Sequence, residues 1–66
     1  MAKNYIIRTN DDRNNVVYFS GWDAILGGPK YHTDKGLAYR MLRTLAEKEL
    51  PKLEMMWNRK CKIEQL

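Results

Sequence analysis

Histidine and cysteine each occur once among the 66 residues, proline twice and glycine four times. A single cysteine, Cys61, excludes an intramolecular disulfide, and a small domain without disulfides is expected in a reducing compartment such as the cytoplasm. A single histidine, His32, with no cysteine or acidic cluster beside it, excludes a recognisable metal-ligand spacing and a nucleophilic triad, since each needs two or more supporting groups. No apolar run is longer than a few residues, so no membrane span is expected. The start Met1-Ala2-Lys3-Asn4 has none of the apolar character of a signal peptide. Repeats, linkers and low-complexity segments are also lacking, which leaves one compact domain over residues 1–66.

What the chain does contain is enough for a small core. Hydrophobic residues make up 44 % of it, with two Trp, four Tyr and one Phe, a composition that argues against intrinsic disorder. Twelve Lys and Arg stand against eight Asp and Glu, a formal charge of +4. That balance admits nucleic acid or an acidic protein surface as partners. Along the sequence the basic residues are spread from Lys3 to Lys62, and only Arg59-Lys60 with Lys62 forms a local cluster.

Alternation and turn chemistry organise the chain. Tyr5-Ile6-Ile7-Arg8-Thr9 and Val16-Val17-Tyr18-Phe19-Ser20-Gly21-Trp22 are rich in β-branched and aromatic residues, which suits strands. The polar Asn10–Asn15 stretch between them reads as the loop of an antiparallel hairpin. Tyr5 and Ile7 share one face, as do Val17 and Phe19, and both pairs are expected to face the core. Gly27-Gly28-Pro29 breaks the chain before a short strand at Lys30-Tyr31-His32. Thr33 and Asp34 then carry the side-chain oxygens of a helix cap. Leu37, Ala38, Met41, Leu42, Leu45 and Ala46 recur at three- and four-residue steps, predicting a helix over 34–49, and Pro51 is expected to stop it. An irregular or helical turn through Trp57 and a strand over 60–65 complete the pattern. The expected fold is α+β: an antiparallel sheet of three to four strands packed on one helix, in β-β-β-α-β order.

No catalytic constellation emerges, so an enzyme is not expected, nor a cofactor or a metal. His32 reads as a strand-end residue and Cys61 as a small buried hydrophobe. Gly21-Trp22-Asp23 lacks the repeats of a propeller, and Gly27-Gly28-Pro29-Lys30 lacks the spacing of a phosphate loop. The functional promise lies in surplus aromatic and basic groups. Tyr18, Trp22, Tyr31, Tyr39 and Trp57 exceed what so small a core can enclose, and aromatic residues with arginine are typical interface anchors. Tyr18, Trp22, Tyr31, Arg40 and Arg43 are the candidate partner-binding residues. Arg59, Lys60 and Lys62 are the candidate nucleic-acid contacts.

Tyr5-Ile6-Ile7, Tyr18-Phe19-Ser20-Gly21-Trp22-Asp23 and Tyr31-His32-Thr33-Asp34-Lys35-Gly36-Leu37-Ala38 together resemble the layout of small bacteriophage and prophage accessory proteins. In those a hairpin ending in a glycine-tryptophan segment leads to an aromatic strand, a threonine-led helix and a last strand. The helix here is richer in arginine and methionine, and the stretch from Pro51 to Asn58 is an added feature. The resemblance implies a non-enzymatic protein of the bacterial cytoplasm that binds and modulates a host protein or defence complex, such as a CRISPR effector. A small basic nucleic-acid-binding module is the alternative expectation.

Overall fold

A computed structural model describes residues 3–66, with Trp57 described by its backbone alone. The N-terminal reading of Met1 and Ala2 and the counting of Trp57 among surplus aromatics therefore lie outside the described residues. Strands β1 (Tyr5–Asn10), β2 (Val16–Trp22), β3 (Pro29–His32) and β4 (Lys62–Gln65) form one antiparallel sheet in the order β3-β2-β1-β4. A 3₁₀ turn, Lys35–Leu37, and one helix, α1 (Arg43–Trp57), lie between β3 and β4. This is the α+β class and the strand-helix order expected from the sequence.

Alternation sets the two faces of the sheet. Ile7, Phe19 and Cys61 are buried together with Met41, Ala46 and Leu53, and Tyr5, Tyr31, Leu50 and Ile63 pack around them. The facing of Ile7 and Phe19 toward the core follows the pattern, as does the burial of Cys61. The β1–β2 turn is held by the Asp11 carboxylate, which accepts from the backbone N–H groups of Arg13 and Asn15. Asn14 there takes a left-handed backbone, φ 65°, which asparagine tolerates.

The helix departs from the sequence reading at both ends. Asp34 does cap, its carboxylate accepting from the Gly36 N–H at 2.9 Å, but only the 3₁₀ turn follows; Ala38 is already extended. The backbone from Tyr39 to Met41 is drawn into sheet contacts instead. Tyr39 donates to the Phe19 carbonyl at 2.8 Å, and Met41 and Tyr5 exchange two hydrogen bonds. Helix α1 begins after Leu42, which is its N-cap, so Leu42 does not sit on the helical core face. Leu37 and Leu45 are exposed as well.

Nor does Pro51 stop the helix: it lies inside α1. Ala46, Leu50 and Leu53, at steps of four and three, turn one face onto the sheet, and burying that face outweighs the missing proline N–H. The helix ends at Asn58, whose N–H donates to the Glu54 carbonyl and whose left-handed backbone (φ 56°, ψ 37°) turns the chain out of the helix.

Ile6 is fully buried although it faces away from Ile7. Its cross-strand neighbour Glu64 accepts a hydrogen bond from Lys35 at 3.1 Å, which brings the 3₁₀ turn over this second face. The chain thus leaves β3 on one side of the sheet and enters α1 on the other. It crosses at residues 39–41, between the diverging ends of β1 and β2, whose paired register stops at Arg8↔Tyr18.

Candidate binding surfaces

The connection between β2 and β3 is a braced apolar tip. The Asp23 carboxylate accepts from the N–H groups of Ile25 and Leu26 at 2.8 and 2.9 Å. Its own N–H donates to the Gly28 carbonyl, and its carbonyl accepts from Gly27. These donors, Leu26 first and then Ile25, hold the Asp23 carboxyl below the usual carboxylate range. Gly27 closes the turn at φ 78°, a conformation that glycine adopts without strain. The fixed backbone presents Ile25 and Leu26 to water at 93 % and 84 % exposure, with Trp22 at 37 % at the end of β2.

The five residues expected to bind a partner do not share one surface. Trp22 stands at the root of the braced tip, its ring edge-on to Phe19. Tyr18 alternates onto the face of the sheet away from α1 and is half-buried there. Tyr31 lies on the core side, edge-on to Phe19, and burial pushes its hydroxyl up to about 12. Arg40 is exposed in the crossing segment, and Arg43 opens α1 with its guanidinium 6.0 Å from the centre of the Tyr5 ring.

The basic trio divides too. Arg59 is ion-paired with Asp12 of the β1–β2 turn. Lys62 alternates away from the core, and Lys60 and Lys62 together line a depression of about 310 Å³ with Arg8, Thr9, Asn10 and Val16. Thr9 fixes this edge, its hydroxyl donating to the Lys60 carbonyl at 2.9 Å.

Three residues of these surfaces were missed in the sequence: Arg8, Ile25 and Leu26. Arg8 adjoins an inward-facing strand residue, a signal that alternation carries. Ile25-Leu26 is an apolar pair inside a turn opened by Asp23 and closed by Gly27, where polar residues are usual.

Cys61 is enclosed, and burial pushes its thiol up, away from the reactive thiolate. Among the described residues, no group of three His, Cys, Asp or Glu side chains converges as a metal site, and no helix is long and apolar enough to cross a membrane. No protein-family model matches the chain, and no curated protein or solved structure matches it either.

Proposed function

We propose that this protein is a non-enzymatic binding module that docks onto a host protein or protein complex through the braced tip at Ile25 and Leu26. The observation that carries the reading is the pairing of near-complete apolar exposure with a backbone held by four hydrogen bonds. Burying an Ile or Leu side chain contributes about 1.5–3 kcal/mol, and a tip already ordered loses little entropy on binding. Trp22 lies close enough in sequence to join the contact, and its large ring suits a central anchor. Modulation of a host defence complex, as in phage-encoded inhibitors, is the biological setting that fits a small stoichiometric binder in the bacterial cytoplasm.

The test is affinity capture from bacterial lysate with nuclease present, comparing the parent with Ile25→Ser/Leu26→Ser. Both side chains are solvent-exposed, so the variant should melt as the parent does. A protein retained by the parent and lost from the variant supports the reading. Identical capture by both proteins refutes it.

A further inference from the structure

The fold assembles a basic face that is dispersed in the sequence. Register places Lys62 of β4 opposite Arg8 of β1, Arg8 opposite Tyr18 of β2, and Tyr18 opposite His32 of β3. All four side chains alternate away from the helix. Strands lie about 4.8 Å apart, so this row crosses the sheet in roughly 14 Å. Lys60 stands beside the row at the depression, and Lys30 projects from β3 on the same face as His32.

Charge is distributed unequally between this face and the rest of the molecule. Arg8, Lys30, Lys35, Lys60 and Lys62 belong to it, together with two acids, Glu64 and Asp34, the latter capping the turn that carries Lys35. Taking these five cations and two acids from the chain's twelve and eight leaves seven cations and six acids elsewhere. Three of the four excess positive charges therefore reside here. Glu64 is occupied by Lys35 at 3.1 Å, whereas Arg8, Lys30, Lys60 and Lys62 make no ion pair among the described residues.

We propose that this sheet face binds single-stranded nucleic acid, with phosphates along Lys60, Lys62, Arg8 and Lys30 and a base stacked on Tyr18. A surface with four cations outside any ion pair complements a polyanion. Tyr18 sits within the cationic row, with the imidazole of His32 beside it, so a base and its flanking phosphates can be met together. A single strand is the occupant that fits, because its base faces are available for stacking.

The test is fluorescence anisotropy with a labelled oligothymidylate of about 12 nucleotides, titrated between about 50 and 200 mM salt. Arg8→Gln/Lys62→Gln should weaken binding at least tenfold at low salt and reduce the slope of log K against log salt by about 1.4, the value for two lost phosphate contacts. Should Arg8→Gln lower the melting temperature, Lys60→Gln/Lys62→Gln, at two exposed positions, gives the same readout. Tyr18→Leu should weaken binding roughly tenfold with the slope unchanged, and Tyr18→Phe should match the parent. Lys48→Gln/Lys52→Gln removes the same charge from the helix and should change neither quantity. Equal losses from the helix variant would reduce the effect to net charge and overturn the proposal. So would undetectable binding of the single strand, equal competition by a duplex of the same length, or binding to phosphatidylserine vesicles in place of the oligonucleotide.

Discussion

Met41 and Tyr5 exchange two backbone hydrogen bonds, of 3.1 and 2.9 Å, at the point where β1 has parted from β2. The pairing joins the chain's crossing segment to the sheet, and the Met41 side chain is buried in the core at 1 % exposure. Met41→Ala should destabilise the domain by about 2–5 kcal/mol, the cost of deleting a buried side chain that size. Urea denaturation measures this, and a loss below that range would mean the segment is docked by its backbone alone.

Pro51 occupies the interior of α1, where it has no N–H to offer the carbonyl one turn earlier. Pro51→Ala should therefore stabilise the protein, by about 1–3 kcal/mol, from the gain of a helical hydrogen bond and of helix propensity. The midpoint of chemical unfolding should move upward with an unchanged slope. A downward shift would show that the ring itself packs usefully.

Asp23 braces the apolar tip through its ionised carboxylate. Asp23→Ala should leave the melting temperature close to the parent's, because the tip is exposed, while the amides of Ile25 and Leu26 exchange much faster with solvent. Acid should act in the same direction. The folded-state pKa lies below the unfolded value of 3.8, so the brace is present above that value and is lost as pH falls through the depressed one. Amide exchange compared between parent and variant reads both effects. Protection unaffected by the substitution would remove Asp23 from the account.

Tyr31 should govern the alkaline limb of stability. Burial raises its hydroxyl from 10.0 to about 12. The neutral form is thus favoured in the folded state, and its contribution is complete below pH 10 and lost as pH rises toward 12. Thermal melts across that window should show a decline that Tyr31→Phe flattens. An identical decline in the variant would assign it to other groups.

The strands and their inward faces were legible in the sequence because they depend on neighbours in sequence. Tyr5, Ile7, Val17 and Phe19 alternate, and Val16–Trp22 is bounded by turn residues on both sides. The helix was legible as an element between β3 and β4, but its bounds were not. Leu37 to Ala46 carry helical spacing and Asp34 is a sound cap, yet Tyr39 and Met41 pair with Phe19 and Tyr5, partners more than 19 residues away. A periodic pattern cannot weigh such long-range bonds against a helical turn. At the other end Pro51 is an accurate local signal that a buried stripe through Ala46, Leu50 and Leu53 overrides.

The same division holds for the surfaces. The sequence by itself determined the α+β class, the order of elements, the burial of Cys61 and the net charge of +4, because composition, alternation and turn chemistry are local properties. Only the tertiary structure decided where that charge resides. Antiparallel register sets Lys62, Arg8, Tyr18 and His32 side by side although Arg8 and Lys62 are 54 residues apart in the chain, while Arg59, one residue from Lys60, is turned away to Asp12. Register arises from how the core faces interlock, so the composition of the opposite face follows from packing the core.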